Sequence, residues 1–297
     1  MKILINRTPV SGPWGGGNLL VKALYDYLPE FGFEIVDTLQ QLPDAIFIQD
    51  PRPDHLGVGI NEIIAYKKYK PSTRVLHRVN ECDARKNTQG MDEFLRECSK
   101  YTDLTIFVSN WIKNYHLSKG WVCKNNEVVY NGVHHEHFKV QEKLNNDKIN
   151  IVTHHWSSNR MKGFDVYEAI DNWISSRDDF TFTYIGRELG TFKNTKIIKP
   201  LHGKELGDEL GKYDLYVSGT KFDPGPNHIL EALSCRLPTY VYKDGGGAVE
   251  FAGESHSFNS LNDLYNTLES KQYVNNALKP YTWKDTVAQI KRCVAGD

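Results

Sequence analysis

Short runs of β-branched and aromatic residues alternate with amphipathic stretches along the chain. The runs at 2–7, 45–49, 74–79, 104–109 and 127–130 form one series, and those at 149–154, 180–185, 196–199, 215–218 and 239–242 form a second. Several are apolar on both faces, the pattern of strands in a parallel sheet covered by helices. Between them, Leu19, Leu20, Ala23, Leu24, Tyr27 and Leu28 recur at helical spacing, as do Val166, Ile170, Trp173 and Ile174. Strand and helix in alternation predict doubly wound α/β domains. The polar segment at 140–148 separates the two series. The expected organisation is two Rossmann-like domains, 1–140 and 148–280, with a closing segment at 281–297 whose Trp283, Val287 and Ile290 share a helix face. Ligands of open parallel sheets bind beyond the carboxyl ends of the strands, so the expected site is a cleft that the two domains face across.

Charge and composition narrow the class. Among 297 residues, 36 Lys+Arg oppose 37 Asp+Glu, a net charge of −1, which gives no electrostatic footprint for nucleic acid. No apolar run is long enough to cross a bilayer, and MKILINRTPV turns polar by Asn6, too early for a signal-peptide core. Cys82, Cys98, Cys123, Cys235 and Cys293 are odd in number and contain no C-x-x-C, so they suggest neither a disulfide framework nor a zinc site. The expected compartment is a reducing cytoplasm.

Four stretches carry candidate chemistry. The run Ser11-Gly-Pro-Trp-Gly15-Gly16-Gly17-Asn18 lies between the first strand and its helix, where glycines let backbone N–H groups approach a phosphate or sugar. It matches neither G-x-G-x-x-G nor a P-loop. In Arg74-Val-Leu-His77-Arg78-Val-Asn80-Glu81-Cys-Asp83, polar groups crowd a strand end as candidates for acceptor binding or acid–base work, His77 among them. The third stretch ends a strand in His154, His155, Trp156 and Ser157, then adds Arg160 and Lys162 before a helix, as an anion site would. The fourth runs from Ser218 to Pro238. Asp223 and Glu231 flank the loop Gly225-Pro226-Asn227-His228 at a helix start, which suits a diphosphate beside hydroxyl-accepting carboxylates. His134, His135 and His137 read as an exposed loop, and Lys67, Lys68, Lys70 and Arg74 as a solvated helix end.

Taken in order, these stretches resemble the retaining family 4 glycosyltransferases with the GT-B fold. The carrying residues are Tyr130-Asn-Gly-Val133, Lys162-Gly163, Asp223-x7-Glu231 with Ala-Leu-Ser-Cys-Arg-Leu-Pro after it, and Gly245-Gly-Gly-Ala-Val-Glu250. The resemblance implies transfer of a hexose from a nucleotide-diphosphate sugar of UDP or GDP type to a saccharide or lipid-linked acceptor. It further implies retention at the anomeric carbon, no required cofactor or metal, and room for peripheral contact with a membrane. It assigns Lys162 to the departing diphosphate, assisted by backbone amides around Gly225–His228 and by the glycine loop Gly15-Gly16-Gly17, Glu231 to the ribose and Asp223 to the donor sugar. The base falls near Gly186-Arg187 and Leu201-His202, and the acceptor goes to the first domain. The sequence departs from the family where Asp223 replaces a usual Glu, Ser157 a usual Arg and His134 a usual Asp. The alternatives are a non-catalytic nucleotide-sugar or glycan-binding protein of the same fold, and a Rossmann dehydrogenase built on the glycine run and Asp37.

Overall fold

The computed structural model describes residues 1–12, 15–123, 125–187 and 191–296. Pro13 and Trp14 of the glycine run lie outside the described residues. The strands are β1 (Lys2–Ile5), β2 (Glu34–Val36), β3 (Ala45–Ile48), β4 (Arg74–Val79), β5 (Leu104–Phe107), β6 (Asn126–Val128), β7 (Ile149–His155), β8 (Phe180–Gly186), β9 (Lys196–Ile198), β10 (Leu215–Ser218), β11 (Thr239–Tyr242) and β12 (Ser257–Phe258). The helices are α1 (Gly16–Tyr27), α2 (Ile60–Tyr69), α3 (Asp83–Lys86), α4 (Met91–Ser99), α5 (Asn110–Ser118), α6 (Phe164–Ile174), α7 (Gly203–Leu210), α8 (Asn227–Ser234), α9 (Gly247–Ala252), α10 (Leu261–Ser270) and α11 (Trp283–Ala295).

Two wholly parallel sheets result, in the orders β2-β1-β3-β4-β5-β6 and β12-β11-β10-β7-β8-β9. Each order reverses direction once, between β1 and β3 in the first sheet and between β7 and β10 in the second. At such a reversal the connections leave toward opposite faces and open a crevice at the carboxyl ends. The central strands are buried on both faces, as their apolar runs require: KILI, AIFI and LTIF in the first sheet, LYVS in the second. The short edge strands β2 and β12 were not legible as runs, because two or three residues show no period.

By contact density the chain divides into Met1–Gly132 plus everything from Trp283 on, and Val133–Thr282. The polar segment at 140–148 therefore packs within the second unit, where Gln141 and Leu144 donate backbone hydrogen bonds to the carbonyls of Gly211 and Lys212. Helix α11 belongs to the first domain. Its Trp283, Val287, Ile290 and Val294 join Ile3, Ile5, Leu20 and Leu24 in one core, and each such side chain fully buried is worth about 1.5–3 kcal/mol. The second core centres on Tyr167, Phe182 and Tyr184. Among the described residues, no helix is long and apolar enough to cross a membrane. Of the cationic run at the end of α2, Lys67 pairs with Asp103 and Lys70 with Asp44.

Period-two alternation sends His77 and Arg78 to opposite faces of β4. His77 shares the face of Val75 and Val79, which pack in the cores containing Ile63 of α2 and Leu95 and Ile112 of α4 and α5. It is 0% exposed, neither ring nitrogen has a hydrogen-bond partner, and burial lowers its pKa to about 4. As pH falls from the ordinary 6.5 toward 4, the unfolded chain takes up this proton before the folded one does. Stability is therefore lost across that window, by about 2 kcal/mol at pH 5 relative to pH 7. His116, also lowered by burial, acts in the same direction. His77→Leu is expected to shrink the difference in urea stability between pH 7 and pH 5 by about 2 kcal/mol; an unchanged pH dependence would show that the ring is not buried as described.

Candidate functional site

The reversal point of the second sheet gathers most of the polar residues singled out in that domain. From β7 the chain passes through His155, Trp156 and Ser157 into a short 3-10 turn, Arg160–Lys162. Asn159 caps that turn, its side chain accepting from Met161 N at 2.9 Å. From β10, the neighbour of β7, it passes through Asp223 to α8, whose N-cap is Pro226. Lys162 Nζ lies 2.5 Å from Asp223 Oδ2, with side chains only 15% and 5% exposed. A third loop, between β11 and α9, holds Asp223 by its backbone. Asp223 N donates to Gly245 O at 3.2 Å, and Gly247 N donates to Asp223 O at 2.8 Å.

Two glycines make this convergence sterically feasible. Gly163 takes φ +90°, and a Cβ there would lie 2.2 Å from the carbonyl carbon of Gly219. Gly246 takes φ +71°, and its Cβ would meet the Asp223 carbonyl oxygen at 2.8 Å. Real Cβ atoms do not approach backbone so closely, so Lys162 reaches Asp223 only because residue 163 has no side chain.

Beneath these loops lies a layer of buried histidines and tyrosines. His154 Nε2 donates to Glu231 Oε2 at 2.8 Å, and its Nδ1 sits 3.2 Å from the Tyr216 hydroxyl. Glu231 is thereby aimed from α8 by a strand residue 77 positions earlier. The Tyr167 hydroxyl accepts from Gly219 N at 3.1 Å, and its own proton serves His155 Nε2 at 2.6 Å. Burial drives the His155 pKa well below its ordinary value and raises that of Tyr167 to about 12, so both stay neutral and the hydrogen bond persists across working pH. His228, on the first turn of α8, meets Ser218 Oγ at 3.1 Å and packs edge-on to His155 at 4.6 Å between centroids.

The remaining singled-out residues fall into three groups. Trp156 and Arg187 come together, the guanidinium carbon 4.6 Å from the ring centroid. Gly186 ends β8 beside them, while Leu201 and His202 lead into α7, with His202 as its exposed N-cap. Gly225 to His228 form the approach to α8, whose first turn carries no acidic residue. Ser157 Oγ accepts from Asn159 N, and Arg160 is exposed on its turn. Gly15, Gly16 and Gly17 open α1 in the first domain, with no side-chain cap. His77 must be corrected: sequence places it among acid–base candidates, but a ring sealed under α2, α4 and α5 meets no substrate. The expectation failed because the face a strand residue occupies depends on register. Tyr216, Tyr167 and the hold of His154 on Glu231 were not legible, since they arise from the adjacency of β7 and β10. In the loop after Val133, His135 bonds Ser234 Oγ and Pro280 O, whereas His134, Glu136 and His137 bring one donor atom each within 4.8 Å of one another.

No protein-family model matches the chain, and no curated protein does. Among solved structures, it is similar to Anabaena HepE in complex with UDP and glucose, at 15% identity and TM-score 0.73 over 100% of both chains. It is also similar to sucrose-phosphate synthase from Thermosynechococcus elongatus, at 12% identity and TM-score 0.71 over 99% and 98% of the two chains. A third is the lipopolysaccharide outer core galactosyltransferase WaaB in its apo form, at 12% identity and TM-score 0.64 over 98% and 95%. The likeness is one of fold. The chain has the GT-B fold, built from two Rossmann-like doubly wound α/β domains.

Gly163→Ala is expected to destabilise the protein by at least about 2 kcal/mol. Gly32, with φ +83° and nothing within 4 Å of a Cβ, isolates the conformational part of the cost. Gly32→Ala should therefore cost less in urea unfolding. Equal losses for the two variants would mean that the approach to Gly219 imposes no constraint.

Proposed function

We propose that the chain is a retaining glycosyltransferase of the family 4 kind, using a nucleotide-diphosphate sugar held by the second domain. The observation that carries this reading is the Lys162–Asp223 pair with Glu231 on α8, at the β7–β10 reversal where such sheets bind nucleotides. Leaving-group departure breaks the bond between the anomeric carbon and the diphosphate and concentrates negative charge on phosphate. Lys162, the backbone amides of Gly225, Asn227 and His228 and the N-terminus of α8 aim positive potential there. Fixed cations and amides supply that stabilisation without a divalent metal. Arg160 stands on the same turn as a second cation for the phosphates.

In this reading Glu231, oriented by His154, accepts the ribose hydroxyls, and Asp223 meets the donor sugar. The Trp156–Arg187 stack, Gly186, Leu201 and His202 border the base. Gly15–Gly17 offer backbone amides to the donor diphosphate, and the first domain serves the acceptor. Retention needs either a covalent intermediate or attack from the leaving-group face. Because the Asp223 carboxylate is already engaged by Lys162, we favour the second, with a leaving phosphate oxygen taking the acceptor hydroxyl proton. Likeness to a whole chain solved with UDP-glucose favours a uridine diphosphate donor among the UDP and GDP types.

A thermal-shift panel of UDP, GDP, ADP and NAD, followed by the matching sugar nucleotides, tests the reading. At a hundred times Kd a ligand confined to the folded state adds about 2.7 kcal/mol. One nucleoside diphosphate is expected to raise the melting temperature, and Glu231→Ala to abolish that rise. Lys162→Ala is expected to lower transfer about 10²–10³-fold. Saturable binding without donor turnover over hours would leave a binding protein of this fold, and a response to NAD alone would remove the transferase reading.

A further inference from the structure

Three side chains of one tight turn converge in the second unit, on residues that the proposed reaction does not use. The turn follows Val133, where the chain enters that unit. The carbonyl of His134 accepts from both His137 N and Phe138 N, each at 2.9 Å. This winds the segment into a helical turn, on which side chains three apart stand side by side. The rings of His134 and His137 accordingly lie 5.1 Å apart between centroids. Glu136 folds back toward them, its Oε1 3.0 Å from His134 Nδ1. One donor atom from each of His134, Glu136 and His137 lies within 4.8 Å of the other two.

Neighbouring packing fixes the turn. His135 stands outside the cluster, its Nδ1 2.9 Å from Ser234 Oγ and its Nε2 3.0 Å from Pro280 O, so both of its nitrogens are already used. Ser234 Oγ also donates to Phe138 O at 2.6 Å. Gly207 of α7 approaches so closely that a Cβ there would lie 2.1 Å from His137 O. The backbone on both sides of the cluster is therefore held before a ligand arrives, which lowers the ordering cost of binding. Burial raises the Glu136 pKa, but its own backbone amide and the rings of His134 and His137 outweigh this and hold it below the ordinary value. The turn thus presents a carboxylate beside two imidazoles.

That donor set suits zinc and its transition-metal neighbours; magnesium and calcium prefer shells of oxygen. Donor atoms of a tetrahedral zinc site stand about 3.4 Å apart. The His134–Glu136 pair is close to that spacing, and rotation of the exposed Glu136 and the half-buried rings completes the closure. We propose that His134, Glu136 and His137 bind a divalent transition-metal ion of the zinc class, with water completing its coordination. Its place makes the role structural. Ser234, which His135 grips, ends α8, and the amides proposed for the diphosphate open that helix about 12 Å away. A metal here clips the turn at the entry to the second unit without reaching the donor, and the site does not depend on the transferase reading.

The test is calorimetric titration of the full chain with zinc chloride in a chelator-free reducing buffer. One ion per chain is expected, in the low micromolar range, and excess magnesium is expected not to compete. His134→Gln and Glu136→Gln are each expected to weaken zinc binding by about tenfold or more. Both positions are partly or fully exposed, so the metal-free melting temperature is expected to stay at the wild-type value. His55→Gln is the control: His55 Nδ1 lies 3.4 Å from Asp54 Oδ2, but no third such donor joins that pair among the described residues, and zinc affinity is expected to be unchanged. Cobalt(II) in place of zinc is expected to give the visible bands of a four-coordinate ion without the near-ultraviolet band of a thiolate ligand. Zinc that binds wild type, His134→Gln and Glu136→Gln alike, a thiolate band with cobalt, or no binding at all would overturn the site. Failure of every nucleotide to bind, with the zinc result intact, would remove the transferase reading and leave the metal site standing.

Discussion

Asp223 is held from three directions, and the site of the second domain is arranged around that fact. Its backbone pairs with Gly245 and Gly247 on the loop after β11, its carboxylate meets Lys162 from the loop after β7, and the chain beyond it enters α8 within four residues. The first two depend on close backbone approaches that a side chain would block, at Gly246 and Gly163. Loops from three neighbouring strands are thus fixed against one another by packing, not by length or composition. That rigidity is what the proposed transfer would need, because electrostatic stabilisation of a leaving group depends on charges that need not move as a reaction proceeds.

The histidines beneath the site do a different job. His155 is an interior residue of a parallel sheet, where a charged ring would be poorly solvated. His155 stays neutral through burial and keeps its bond to Tyr167, whose hydroxyl also takes the Gly219 amide. That links β7 to the very residue against which Gly163 packs. His154 links β7 to Glu231. The polar layer therefore converts strand pairing, set by β7–β10 register, into the orientation of side chains on the loops and helix above. A hydrophobic layer would hold the strands as well but would leave Glu231 without a fixed rotamer.

Much of the architecture was legible because it rests on hydrophobic patterning, which is local. Ten strand runs, the α1 and α6 stripes and the Trp283–Ile290 face all appear as elements, whereas β2 and β12, edge pieces of two or three residues, do not show in any window. The polar segment at 140–148 looked like a linker by composition, but backbone hydrogen bonds to Gly211 and Lys212 pack it into the second unit. In the site, Lys162, Asp223 and Glu231 were readable from their positions relative to a strand end and a helix start. Which of His77 and Arg78 faces the binding edge was not, because one residue of register decides it. The partners of Glu231 were not readable either, since they come from a strand 77 residues away.

The two domains use one topological device with opposite electrostatic settings. In the second, the cation at the sheet reversal already has its counter-charge: Lys162 rests on Asp223, so the diphosphate proposed to bind there would compete with a carboxylate for it. In the first, Arg78 rests on the amide oxygens of Gln49 and Asn131. Donor binding as proposed for the second domain would therefore exchange one ion pair for another. A buried guanidinium held only by neutral oxygens therefore costs the first domain stability that the paired Lys162 does not cost the second.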